Sequence, residues 1–197
     1  GKGRPGVVEG RAGLADLAAQ VATALQASGT STVTLRLDTS HARGPRYAPT
    51  WLPADVTAGY TGGVSMLGLA GERATPGHPA PRDPEAATAK AFVAALAKQG
   101  ITARLAPERT WTAPSAKGAV ELGRVESAPI GEVLALALDE SDNALTEGLA
   151  RQASVRAGGA ATFAGAVALV ARGPLDELVD LEDRVVDAGV EVPELGV

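Results

Sequence analysis

Apolar positions recur along this chain with two periods, and the switches between them outline its elements. Leu14, Leu17, Val21 and Leu25 are three or four residues apart, which puts them on one face of a helix over 13–27, with Gly29 as the stop. The period then drops to two. Val33, Leu35 and Leu37 alternate with Thr32, Thr34 and Arg36, the pattern of a half-buried strand ending at Asp38. The same order returns further on. Asp83-Pro84 opens a helix over 84–99, Phe92, Val93 and Leu96 form its apolar face, Gly100 ends it, and 101–105 reads as a strand. Two such units predict that the strands at 32–37 and 101–105 share one sheet, with both helices packed against it.

Between the units, 39–81 carries Pro45, Pro49, Pro53, Pro76, Pro79 and Pro81, an irregular stretch too long to be a passive turn. Within it, 63–69 reads as a short strand and 71–81 as an exposed loop; a further strand is expected over 120–125. From Pro129 the period becomes helical. Ser127 is the expected cap, and Ile130, Val133, Leu134, Ala137 and Leu138 supply an apolar stripe. Asp139-Glu140-Ser141-Asp142 interrupts it, and a second helix follows over 143–156. The run 160–171 is almost wholly apolar and so expected to be buried, while 175–188 turns Leu178, Leu181 and Val185 inward. Residues 190–197 look like the start of another element. The expected class is α/β: a mixed sheet with packed helices over 1–126, then an all-helical segment over 127–197.

Composition narrows the possibilities without choosing among them. The 197 residues, 45% hydrophobic and 21% charged, are enough for a globular core. With only 3% aromatic residues, that core must be built from close contacts between small side chains. The net charge of −5 and the absence of a basic patch interleaved with aromatics argue against a nucleic-acid partner. There is no cysteine, hence no disulfide, thiol nucleophile or Cys-based metal site. His41 and His78 both fall in loops, without the paired spacing of a metal site or a nucleophile elbow beside them. No metal or cofactor is expected. No apolar run reaches the ~18 residues of a membrane span, and Gly1 begins without a signal peptide, a segment that an exported protein would have lost.

Ser141-Asp142-Asn143 is the segment with chemical content, and it has two readings. All three residue types cap helices by accepting hydrogen bonds from free N–H groups. The same Ser-x-Asn pattern is also one of three pieces, with S-x-x-K and K-T-G, of penicillin-binding enzymes and class A β-lactamases. The other two pieces do not occur. The residues three before Lys90, Lys98 and Lys117 are Ala87, Ala95 and Pro114, and those following Lys2, Lys90, Lys98 and Lys117 are Gly3, Ala91, Gln99 and Gly118. Glu147 and Arg151, four apart, read as a surface pair on one helix face, and Asp142 as an exposed acid at a helix start. Asp38, Asp55 and Asp83 follow strand or turn signals, where capping is the default explanation.

The segment from Ile130 to Arg151, with Ser141-Asp142-Asn143, Glu147 and Arg151 in place, resembles the Ser-x-Asn region of the peptidase S13 family, the D-alanyl-D-alanine carboxypeptidases among the low-molecular-mass class C penicillin-binding proteins. Asp38, Trp51, Asp55, Tyr60 with Val64-Ser65-Met66-Leu67, and Asp83-Pro84 with Phe92, Leu96 and Gly100-Ile101 are similar in order to upstream parts of that family. The chain departs from it at Arg4, where an acid is usual, and in the shortness of the loop at 71–81. The resemblance implies an accessory α/β domain over 1–126 and, over 127–197, the helical part of a β-lactamase/transpeptidase-like domain. It implies a serine-type peptidase that forms an acyl-enzyme with peptidoglycan stem peptides ending in D-Ala-D-Ala and binds β-lactams when complete. It also implies an exported, extracytoplasmic protein of the cell envelope. Ser141 would pass a proton to the departing D-alanine nitrogen, and Asn143 would donate its amide to the substrate carbonyl. Without S-x-x-K and K-T-G, residues 1–197 are expected to be inactive alone. A non-catalytic binding or scaffold module of the cell envelope on the same fold is the alternative.

Overall fold

The computed structural model describes residues 1–39, 44–111, 118–172 and 191–192. Its contacts divide the chain into two units, each discontinuous in sequence: 1–40 with 86–128 and 186–197, and 41–85 with 129–185.

The first unit holds the repeated helix–strand pairs. Helix α1 (Leu14–Ala27) and helix α3 (Pro84–Ala97) precede strands β1 (Thr32–Leu35) and β2 (Thr102–Leu105). As the alternation predicts, the two strands lie in one sheet. They run parallel, in the register Thr32↔Thr102 to Leu35↔Leu105. Leu17, Ala18, Val21, Ala22 and Leu25 of α1 share one buried cluster with Leu35, Phe92, Leu96 and Ile101, so both helices cover the sheet with the faces read from their spacing. The Gln20 side-chain amide reciprocates with the Arg124 backbone, donating to its carbonyl and accepting from its N–H, each at 3.0 Å. Trp111 packs against the small residues Ala86 and Ala89 and donates its indole N–H to the Ala106 carbonyl at 3.2 Å.

The expected strand at 120–125 shrinks to β3 (Val120–Glu121), and the tail is not all helical. Its residues Glu191–Val192 form β4, antiparallel to β3 with Val120 opposite Val192. Valine suits the pleated backbone, and one of the two pairs sets Val120 against Val192. The helix expected at 175–188 lies outside the described residues, as does His41.

In the second unit, the stretch expected to be irregular contains a short helix, α2 (Pro53–Ala58), opened by Pro53 at its first position. Gly59 closes it in the left-handed conformation, with φ at +80°, and a side chain there would collide with the Thr75 carbonyl. The strand expected at 63–69 does not form. Ser65 bends the chain on itself instead: its hydroxyl donates to the Leu67 carbonyl at 2.6 Å and accepts from the Leu67 N–H at 3.1 Å. Val64 keeps one strand-like bond, its N–H donating to the Arg46 carbonyl at 2.7 Å.

Among the described residues this unit has three further helices, α4 (Ile130–Asp139), α5 (Asn143–Arg156) and α6 (Phe163–Ala171). No side chain caps α4, so Ser127 does not have the role expected of it. Thr162 caps α6 by accepting from the Gly165 N–H at 3.1 Å. The apolar run of α6 is less buried than its composition suggests. Ala166 is its one buried residue, whereas Val167 and Val170 are 51% and 68% exposed; Leu134 and Leu138 of α4 are exposed in the same way. Apolar content measures what a helix can bury, and the neighbours decide which stripe is covered. Among the described residues, α6 packs on α5 alone to an appreciable extent.

Candidate functional site

The turn between α4 and α5 carries the Ser-x-Asn sequence, and two overlapping cap motifs shape it. At the end of α4 the Asp142 N–H donates to the Ala137 carbonyl at 2.9 Å and the Ser141 N–H to the Leu138 carbonyl at 3.3 Å, the paired bonds of a Schellman ending. That ending requires a left-handed residue between the two bonds. Glycine usually supplies it; here it is Ser141, with φ at +53°, and it is the one non-glycine residue with positive φ among the described residues. The next residue already starts α5. Asp142 Oδ1 accepts from the Leu145 N–H at 2.8 Å, the bond of an N-cap, and the Thr146 hydroxyl donates to the Asp142 carbonyl at 2.8 Å.

The middle residue of the motif therefore does the capping, and the outer two are left available. Ser141 is exposed, and its hydroxyl has no hydrogen-bond partner among the described residues. Asn143, also exposed, has a single long contact, its Nδ2 donating to the Tyr60 carbonyl at 3.4 Å. Asp142, read from sequence as an exposed acid, is instead largely covered and ion-paired: Arg73 Nη1 lies 2.8 Å from its Oδ2, and Arg73 Nη2 pairs with Glu140. Arg73 comes from the loop expected to be merely exposed. Nothing in the sequence marked it, because its partners stand 67 and 69 residues away.

About two turns along α5 a second cation is anchored. Arg151 Nε donates to Glu147 Oε1 at 2.7 Å and Nη1 to the Pro45 carbonyl at 2.6 Å. The pair is four residues apart as expected, but it is not a surface pair: the side chains are 5% and 12% exposed. Burial gives these charges a structural task, holding the segment at Pro45 to α5, and Arg151 Nη2 is buried without a partner among the described residues. Gly148, on the same helix, is buried close to Val64. His78 is taken up elsewhere, with its backbone bridging Thr75 and its side chain exposed. Among the described residues no group of three or more acidic or histidine side chains could hold a metal ion, and no helix is long and apolar enough to cross a membrane.

A helix–turn–helix that presents an exposed serine and an exposed asparagine on either side of a capping aspartate is the arrangement to be placed among known proteins. Residues 70–189 match the family model described as the D-Ala-D-Ala carboxypeptidase 3 (S13) family, and the chain belongs to that family. Carboxypeptidase DacB of Mycolicibacterium smegmatis is 34% identical over 170 residues, which cover 86% of this chain and 35% of that protein. Carboxypeptidase Rv3627c of Mycobacterium tuberculosis is 28% identical over 161 residues, covering 80% of this chain and 32% of that protein. The chain thus spans about a third of the length of these curated relatives. No solved structure matches it. The family reached from the residues around Ser141 is the family that the comparison finds.

Proposed function

We propose that this chain is the Ser-x-Asn-bearing part of a serine-type D-Ala-D-Ala carboxypeptidase that acts outside the cytoplasm on peptidoglycan stem peptides and is acylated by β-lactams. The observation that carries the reading is the division of labour within the motif. Asp142 caps α5, so Ser141 Oγ and the Asn143 amide are not consumed in capping that helix. The names of the relatives, both carboxypeptidases, support the reaction class.

In this reading the nucleophilic serine and its lysine base, together with the K-T-G strand, come from outside residues 1–197, where neither motif occurs. Acylation forms a bond between the serine oxygen and the penultimate D-alanine carbonyl carbon and breaks the bond to the terminal D-alanine nitrogen. Ser141 relays the proton that this nitrogen takes up as it leaves. Asn143 donates an N–H to the carbonyl oxygen of the substrate chain, fixing it for attack. The proposed accessory part covers 1–126 and the proposed peptidase part 127–197.

The test is labelling of the full-length protein by a fluorescent penicillin. Asn143→Ala should slow acylation by about a hundredfold or more, the scale of one lost positioned donor, while melting close to the parent. Normal acylation together with early melting would leave Asn143 with a structural role and remove the catalytic assignment. Failure of the parent itself to label would favour a non-catalytic envelope module.

A further inference from the structure

We propose that Arg73 is a positioning residue for the Ser141-Asp142-Asn143 turn, an inference that rests on the acyl-transfer reading above. Ser141 holds a left-handed backbone that an L-residue adopts only when its surroundings over-determine it. The Schellman bonds supply one restraint and the Asp142 cap a second. Neither explains how two carboxylates, Glu140 and Asp142, come to flank the serine directly. Two like charges on either side of one residue repel, and their repulsion would open the turn. Arg73 reverses the sign of that interaction. One nitrogen of its guanidinium pairs with Glu140 and the other lies 2.8 Å from Asp142, so a single planar fork grips the residue before Ser141 and the residue after it.

The grip is partly shielded from solvent: the Arg73 side chain is 20% exposed and that of Asp142 is 12% exposed. Arg73 leaves the turn open on the serine side, since both its terminal nitrogens are engaged by acids and Ser141 remains exposed. Its effect on chemistry would run through Ser141. Proton relay depends on heavy-atom distances, and a displacement of ~1 Å at a reacting group can cost on the order of a hundredfold. The position of the arginine, in a loop preceding the motif by about seventy residues, makes the loop at 71–81 part of the site although it contributes no reacting atom.

The experiment uses the full-length protein and a fluorescent penicillin, and separates the limiting acylation rate from the half-saturating concentration. It compares the parent with Arg73→Met, Arg73→Lys, Ser141→Ala and the double variant Arg73→Met/Ser141→Ala. Arg73→Met should lower the limiting rate by about 10- to 100-fold and leave the half-saturating concentration unchanged. Arg73→Lys should recover part of the rate, because an ammonium keeps the charge but not the fork. The double variant should be no slower than Ser141→Ala alone, since the arginine would act through the serine. A normal limiting rate in Arg73→Met, or losses that multiply in the double variant, would overturn the assignment. If Ser141→Ala acylates as fast as the parent, the acyl-transfer reading falls as well; if Ser141→Ala is slow and Arg73→Met is not, only the role of Arg73 is lost. Should Arg73→Met fail to fold, Arg73→Lys with its double variant carries the same comparison.

Discussion

Arg151 Nη1 donates to the Pro45 carbonyl at 2.6 Å, a bond between residues 106 apart in sequence, while its Nε holds Glu147 one turn back on the same helix. The guanidinium is buried, so its loss would strand the Glu147 carboxylate in a largely covered place, its side chain only 12% exposed. Arg151→Ala should destabilise the protein by about 3–5 kcal/mol, far above the few tenths of a surface pair on a helix. Removing both charges in Arg151→Met/Glu147→Gln should recover much of that loss. Urea denaturation of the three proteins measures it, and a loss below about 1 kcal/mol for Arg151→Ala would contradict the burial.

Asp142 has a cap bond and an ion pair to lose. Asp142→Ala should cost about 1–3 kcal/mol, whereas Asp142→Asn retains an oxygen for the Leu145 N–H and should cost less. Equal losses in the two variants would show that the cap bond contributes nothing. Thermal melting distinguishes these outcomes.

Ser141 should show opposite effects on stability and reaction. Glycine accepts positive φ freely, so Ser141→Gly should leave stability unchanged or raise it by about 0.5–1 kcal/mol while slowing penicillin acylation of the full-length protein. Ser141→Val should lower stability, because a β-branched residue is poorly tolerated in that conformation. A destabilised Ser141→Gly would mean that the hydroxyl supports the fold.

Gly59 is under a stricter limit than Ser141, since both its φ of +80° and the nearby Thr75 carbonyl exclude a side chain. Gly59→Ala should therefore cost more than about 1 kcal/mol, and it should shift Tyr60, whose carbonyl faces Asn143. Unchanged melting and unchanged amide chemical shifts at Asn143 would refute that linkage.

Residues 1–197 by themselves should form no covalent adduct with penicillin, since no S-x-x-K occurs among them. Intact-mass measurement after incubation is the check. A stoichiometric shift by the mass of the antibiotic would require a nucleophile outside the proposed scheme.

What the sequence could determine by itself was whatever depends on near neighbours. The spacing of Leu14 to Leu25 and of Val33 to Leu37 was enough to locate α1 and β1, and the polar break before Asn143 was enough to start α5 at the right residue. The Ser141-Asp142-Asn143 pattern was visible too, and with it the family. Local pattern could not say which of these three residues would cap, because Ser, Asp and Asn all accept from a free N–H equally well. That choice went to Asp142 once α4 closed through a left-handed Ser141, a matter of backbone geometry. Tertiary structure also decided the exposure of Val167 and Val170, the burial of Arg151, and the meeting of Arg73 with Asp142. The physical reason is common to all three. Charge and apolar area are properties of a residue, but what they are worth depends on partners that only folding brings within reach, and for Arg73 and Asp142 those partners lie 69 positions apart.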